Sequence, residues 1–305
     1  MNKAIITGAT GLVGLAVTKY LSTIGYRLIC LGRRRMSTEE TNKIFGAETR
    51  YISLPMQSIS YLPEKLKAID WRSAEDTVFF NFAWSGNNGL ADGEFSDQMQ
   101  NAVWAAEAVK VAKLIGCSRF INSGSMEETF IENITKTEIK QPYKSAQTNY
   151  GLAKLAARDV CRIVAYIEGI DYIHTRMSVP LESELANGTY ISSTLKKIIN
   201  GEKYETPKST SLYDFIVLED VASAYHLIGR SGVNKADYYI GIGNPATLQQ
   251  HFERCKQLVA WKNKVSSDLA PNDPSQLFDI HTLRRDTGFE ATLRLRDVIN
   301  KAGNL

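Results

Sequence analysis

Thr7-Gly8-Ala9-Thr10-Gly11-Leu12-Val13-Gly14 follows an apolar run, Ala4-Ile5-Ile6, at the head of the chain. A strand that ends where a helix begins leaves the helix's first N–H groups unpaired and facing outward, ready for a pyrophosphate. Gly8 then permits the tight turn, Gly11 lets backbone approach the phosphates, and Gly14 lets helix and strand pack closely. Val13, Ala16, Val17, Tyr20 and Leu21 follow at helical spacing, and a second strand, Arg27-Leu28-Ile29-Cys30-Leu31, comes after Gly25. Three glycines alone also fit an ordinary turn. Their strand–turn–helix setting is what points to a dinucleotide.

The end of the second strand bears on which dinucleotide. An NAD site places an Asp or Glu there, about 20 residues beyond the glycines, to accept from the ribose 2′-hydroxyl. This chain has Gly32-Arg33-Arg34-Arg35 and no acid before Glu39. Guanidinium groups stay charged and offer a fork of donors, which suits a 2′-phosphate. The alternative is a solvated basic loop. NADP(H) is therefore the expected cofactor, with Arg33 and Arg34 as contacts.

Composition excludes several classes. Of 305 residues, 44% are hydrophobic and 23% charged, the balance of a globular protein. A net charge of +3, with no basic stripe interleaved with aromatics, does not call for nucleic acid. No apolar run reaches the roughly 18 residues of a membrane span. Cys30, Cys117, Cys161 and Cys255 are scattered, as are the four histidines, which fits reduced thiols rather than a disulfide framework or a metal site. With the first strand so near Met1, a cytoplasmic protein without a leader is expected.

Strand patterns recur at Arg50–Leu54, Thr77–Ala83, Arg119–Asn122 and Ile170–Thr175, with long helical stretches at Phe95–Ile115 and Asn149–Glu168. That alternation predicts an α/β fold, a Rossmann-type doubly wound parallel sheet with helices on both faces. After Arg176 the segments shorten, and Pro180, Pro207, Pro245, Pro271 and Pro274 punctuate them. Tyr213–Leu218 reads as a return strand of the main sheet leading into a helix from Asp220. The expected division is a dinucleotide-binding domain over residues 1–177 plus about 212–235, and a smaller C-terminal α/β substrate lobe over about 178–211 and 236–305. The long helices carry broad apolar faces, Val103, Ala106, Val109 and Ala112 on one, Leu152, Leu155, Ala156, Val160 and Ile163 on the other. Such breadth suits either core packing alone or core packing plus a homodimer.

Tyr150-Gly151-Leu152-Ala153-Lys154 places a phenol and an ammonium on one helix face. The ammonium could stabilise a phenolate and bring the Tyr150 pKa down toward neutrality. Tyr61–Lys65 and Tyr204–Lys208 share this spacing, but each has a proline inside, which a helix interior does not tolerate. The Tyr150 copy also follows a Ser-rich strand end, Ile121-Asn122-Ser123-Gly124-Ser125.

Together these motifs resemble the extended short-chain dehydrogenase/reductases of the NAD-dependent epimerase/dehydratase family, most of which act on nucleotide sugars. Ser125, twenty-five residues before Tyr150, falls where the family has its catalytic Ser/Thr. Tyr213-Asp214-Phe215 through Asp220-Val221-Ala222 is similar to its Arg-Asp-Phe segment. Tyr239-Ile240-Gly241-Ile242-Gly243 and Asp279 through Gly288-Phe289, with Leu295 and Asp297, match its later elements. The resemblance implies Ser125, Tyr150 and Lys154 as catalytic residues and hydride transfer at a sugar carbon, usually C4. It adds Thr10, Leu12, Val13, Phe82, Ala83, Trp84, Asn101 and Ser123 to the cofactor contacts, and Ser125, Met126, Glu127, Ser178 and Tyr213 as substrate contacts. Departures cluster on the substrate side. Thr129-Phe130 replaces Tyr-Gly, Met177-Ser178-Val179-Pro180-Leu181 replaces Asn-x-Tyr-Gly-Pro, Tyr213 replaces Arg, and Leu54-Pro55-Met56-Gln57 lacks the acid expected for the adenine. With NADPH as cofactor, net reduction of a nucleotide-linked 4-keto sugar is the leading expectation. A 4,6-dehydratase using Glu127, a 4-epimerase, and a non-catalytic NADP(H) sensor are the alternatives.

Overall fold

The computed structural model describes residues 2–73, 76–86, 94–136, 148–261 and 277–303, so Pro271 and Pro274 lie outside the described residues. The chain divides into two compact units.

The first unit, Met1–Arg176 with Tyr225–Tyr238, carries the sheet. In chain order it contains β1 (Lys3–Thr7), α1 (Leu12–Thr23), β2 (Arg27–Gly32), α2 (Thr38–Phe45), β3 (Thr49–Ser53) and α3 (Leu62–Ala68). There follow β4 (Thr77–Asn81), α4 (Phe95–Leu114), β5 (Arg119–Ser123), α5 (Glu127–Lys136), α6 (Thr148–Glu168) and β6 (Asp171–Met177). β1 to β6 pair in parallel, with Thr7 opposite both Leu31 and Asn81. The strand order, 6-5-4-1-2-3 with Asp237–Ile240 as a seventh strand beside β6, reverses at β1, the switch point where ligands bind in open α/β sheets. The central strands are buried on both faces, which is why they read as continuous apolar runs. One core joins Ile5, Ile29, Phe79, Phe120 and Tyr172 to the inner faces of α4 and α6.

The second unit comprises Met177–Ala224 and Tyr239–Leu305. Its elements are β7 (Val179–Leu181), α7 (Tyr190–Ile199), β8 (Leu212–Tyr213), β9 (Phe215–Val217), α8 (Leu218–Ser231, whose last seven residues belong to the first unit), β10 (Asp237–Ile240, whose first two residues belong to the first unit), β11 (Ala246–Thr247), α9 (Leu248–Trp261), α10 (His281–Thr287) and α11 (Leu295–Ala302). Leu195, Phe215, Phe252 and Val298 centre its own core. Asp214 is fully buried and accepts from the N–H groups of Ile242, Gly243 and Asn244 and from the Tyr239 hydroxyl, which ties down the Gly241-x-Gly243 loop.

Two expectations need correction. Tyr213–Leu218 is not a strand of the main sheet. Tyr213 pairs with β11, Phe215–Val217 pairs in parallel with β7, and Leu218 already begins α8. The seventh strand of the main sheet is β10, beside β6. An apolar Phe-Ile-Val triplet suits any buried strand, and its partner cannot be read from its own residues. The stretch expected to rejoin the first domain from about 212 does so from Tyr225.

Candidate active site

Gly8 adopts φ +65°, and a Cβ there would lie 2.8 Å from the Ala83 nitrogen. A Cβ on Gly14 would run into the Gly8 carbonyl oxygen. The turn is thus closed on both sides by backbone, and only glycine fits either position. Gly11 caps α1 in extended conformation, and the first-turn N–H groups of α1 lie beyond the reach of intrahelical acceptors.

In front of this turn lies a cleft of about 690 Å³, lined by Gly8, Thr10, Gly11, Arg33, Phe82, Ala83 and Trp84 among the expected residues. Leu31, Leu54, Pro55, Met56, Gln57 and Trp104 also line it. A tight glycine turn, a helix N-terminus and a cleft over the carboxyl ends of β1, β2 and β4 fit a dinucleotide. The exposed Arg33 closes the β2 end, and among the described residues no carboxylate lines the cleft. Arg34 is exposed and does not line the cleft; its carbonyl accepts from the Tyr51 hydroxyl. Asn101 braces the cleft wall instead of facing it, exchanging hydrogen bonds with both Ser85 backbone groups at 2.6 and 2.8 Å. Leu12, Val13 and Gly14 lie within α1 behind the lining residues.

The catalytic candidates converge. Tyr150 and Lys154, one turn apart on α6, are each 5% exposed. The Tyr150 phenol shares a hydrogen bond with the Ser125 hydroxyl. Ser125 Oγ in turn accepts from the Glu127 N–H at 3.2 Å. Lys154 Nζ donates to the Ser123 carbonyl at 2.8 Å and lies 3.9 Å from the centre of the Trp84 ring, which stands edge-on to Tyr150. Ser123 Oγ accepts from the Tyr225 hydroxyl at 3.0 Å. Met126 is buried, and Glu127 begins α5.

The electrostatics depart from expectation. The Tyr150 pKa is not brought down. Burial drives it well above the ordinary phenol value, the Glu127 and Glu128 carboxylates add to the rise, and the Ser125 hydrogen bond opposes it. The Lys154 ammonium is spent on Ser123 and Trp84. Burial lowers its own pKa to about 8, against the opposing pull of Glu128. Burial also pushes the Glu127 carboxyl up to about 7.

The rival Tyr-x-x-x-Lys copies fall elsewhere. Tyr61 precedes α3, whose first turn accepts Pro63, but it is 57% exposed and outside the cleft. A proline in the tetrad therefore does not exclude a helix, because the first turn tolerates it. Tyr204–Lys208 has no regular structure. Ser178 and Tyr213 belong to the second unit. Ser178 Oγ is buried without a hydrogen-bond partner among the described residues, and the Tyr213 carbonyl accepts from His251 Nε2 at 2.7 Å.

A model of the NAD dependent epimerase/dehydratase family matches residues 4–241. The chain belongs to that family of enzymes. Among solved structures similar to this epimerase-family chain is UDP-glucose 4-epimerase of Thermotoga maritima with UDP-glucose, at 14% identity and TM-score 0.72, covering 99% of this chain and 97% of that one. WbmG of Bordetella bronchiseptica in complex with NAD gives 16%, TM-score 0.72, and 98% and 92% coverage. UDP-glucuronic acid 4-epimerase of Bacillus cereus in complex with NAD gives 15%, TM-score 0.69, and 99% and 95% coverage. At these identities the likeness shows the fold. No curated protein matches the sequence significantly.

Glu128, expected only as a Ser-x-x-Glu neighbour of Glu127, and His174, expected only as one of four scattered histidines, had no role assigned from the sequence. Both are wholly buried and meet at 2.8 Å behind Ser125. A signal was present, since Ser125-Met126-Glu127-Glu128 has the Ser-x-x-Glu spacing of a capping box.

Proposed function

We propose that this chain is an NADPH-dependent reductase of a nucleotide-linked 4-keto sugar, acting at C4 with Tyr150 as proton donor. The observation that carries the reading is the buried Tyr150 phenol, hydrogen-bonded to Ser125 with Lys154 one turn away on the same helix. A protonated phenol gives a proton to a keto oxygen, whereas oxidation of an alcohol needs the phenolate first. Arg33 in the cleft, with no carboxylate at the end of β2, supports the 2′-phosphate.

When bound, the dinucleotide supplies hydride at its nicotinamide carbon. Gly8, Thr10, Gly11, Arg33, Ala83 and Trp84 would hold it. Ser125 positions the keto oxygen beside Tyr150, and the Tyr150 proton passes to that oxygen as negative charge develops. Lys154 places a positive charge a turn away in the buried interior, so its field is worth more than in solution.

Four free, buried cysteines fit a cytoplasmic setting. A homodimer is part of the same reading. Val103 and Leu114 on α4, and Leu152, Val160, Ile163 and Ile167 on α6, are exposed at helical spacing on two helices that pack together. A second copy would cover that apolar surface.

Glu127 favours a second reading. Its carboxyl, raised to about 7, is suited to taking and returning a proton near neutral pH, as dehydration across C5 and C6 requires. The test follows NADPH absorbance with a panel of nucleotide-linked 4-keto-6-deoxy sugars. Consumption supports reduction. No consumption, with Glu127-dependent water loss from 4-hydroxy sugars, selects the second reading.

A further inference from the structure

Four strands contribute one polar side chain each to a single row through the interior of the first unit. Thr7, Asn81, Asn122 and His174 stand opposite one another in register on β1, β4, β5 and β6. All are buried. Thr7 Oγ1 donates to Asn81 Oδ1 at 2.7 Å, Asn81 Nδ2 to Asn122 Oδ1 at 2.9 Å, and Asn122 Nδ2 to His174 Nδ1 at 3.4 Å. His174 Nε2 then donates to Glu128 Oε2 at 2.8 Å, and Glu128 Oε1 accepts the Ser125 N–H at 2.7 Å.

Every donor in the row points the same way. The row begins at the Ala83 N–H, which donates to Thr7 Oγ1 at 3.1 Å in the wall of the cleft, and it ends on the Glu128 carboxylate. In this direction Nε2 of His174 is the donor and Nδ1, which the Tyr172 hydroxyl also meets at 3.3 Å, is the acceptor. Aligned hydrogen bonds in a dry interior polarise and stiffen one another.

A capping box alone does not call for this arrangement. Such boxes sit at helix ends where water is at hand, whereas Glu128 is wholly buried, and a buried carboxylate is costly unless its oxygens are filled. Gly124 makes the room: a Cβ there would run into Glu128 Oε1 and His174 Nε2. The effect on Ser125 is specific. Its N–H is pinned by Glu128 and its Oγ accepts from Glu127 N–H, which fixes the backbone of Ser125 and fills one lone pair of the hydroxyl that meets Tyr150.

We infer that Glu128, held by His174 and the Asn122–Asn81–Thr7 row, is the positioning residue for the Ser125 hydroxyl. The row gives Ser125 and the Ala83 wall of the cleft a common mechanical reference. The inference rests on the reading that Ser125 and Tyr150 carry the chemistry, and it adds residues that do not themselves touch substrate.

The test is a double-mutant cycle on the full chain. Glu128→Leu keeps the volume and removes both acceptors. It is expected to lower kcat at least tenfold with KM and cofactor Kd within about twofold, and to cost less than about twofold when introduced into Ser125→Ala. Glu128→Gln, which keeps an acceptor for the Ser125 N–H but sets its amide NH2 against His174, is expected to recover part of the loss. Equal losses in both backgrounds, or a loss confined to KM, overturn the inference. Hydrogen exchange at the Ser125 amide gives a readout free of any substrate, with exchange about tenfold faster in Glu128→Leu than in the wild type expected, and unchanged exchange contradicting the inference. His174→Gln provides the same readouts should Glu128→Leu fail to fold. If the wild type shows no Tyr150-dependent turnover, the proposed reaction falls, and the amide exchange still decides whether Glu128 positions Ser125.

Discussion

Lys154 holds its ammonium 3.9 Å from the centre of the Trp84 ring while donating to the Ser123 carbonyl at 2.8 Å. Two different elements thereby fix one buried cation: Trp84, which follows β4, and the end of β5. A desolvated cation over an indole face is worth about 2 kcal/mol. Trp84→Leu should lower unfolding free energy by about that amount, read from urea denaturation, and Trp84→Phe by roughly half. Equal stability in all three proteins would remove the indole from the account of Lys154.

Arg33 is the guanidinium that lines the cleft, and Arg34 is not. A charge-assisted hydrogen bond to phosphate contributes about 1.5–3 kcal/mol, so Arg33→Ala should weaken NADPH binding roughly tenfold to a hundredfold. NADH binding should change by less than about twofold, and Arg34→Ala should do little to either, as calorimetric titration will show. A wild type that prefers NADH would overturn the cofactor assignment.

Glu127 makes stability depend on pH. Its folded pKa is raised from 4.5 to about 7 by burial, so between those values the folded chain keeps a proton that the unfolded chain has released. Its contribution to stability therefore falls as pH rises through that window. Glu127→Gln should flatten this part of the curve and gain on the order of 2–3 kcal/mol at pH 8, measured by denaturant titration. On the reductase reading, the same variant keeps its NADPH oxidation.

Much of this was legible in the chain. β1 to β6, α1, α4 and α6 announced themselves because fully buried strands and long two-faced helices leave strong period signals. Gly8 and Gly14 were legible because their roles are local. The partners of Phe215–Val217 were not, since a three-residue strand carries no mark of its neighbour. Nor was the rise in the Tyr150 pKa, which comes first from burial and then from Glu128 and Glu127 packing beside it in three dimensions. The polar row escaped for the same reason. Asn81, Asn122 and His174 each look like isolated polar residues in apolar strands, and only the sheet register lines them up.

Ile163 is 60% exposed at the centre of the apolar stripe of α6. Ile163→Glu should shift the protein from dimer to monomer in sedimentation velocity without loss of thermal stability in the monomer, because an isologous contact places the new charge opposite its own copy. A wild type that sediments as a monomer at all concentrations would contradict the dimer.

The most direct test of the central claim compares wild type with Tyr150→Phe in single-turnover oxidation of NADPH by nucleotide-linked 4-keto-6-deoxy sugars. The account predicts a loss of about 10²–10⁴ in rate, with NADPH affinity unchanged, because only the proton donor has gone. Equal rates in the two proteins would show that Tyr150 is not the acid, and the mechanism proposed here would be wrong.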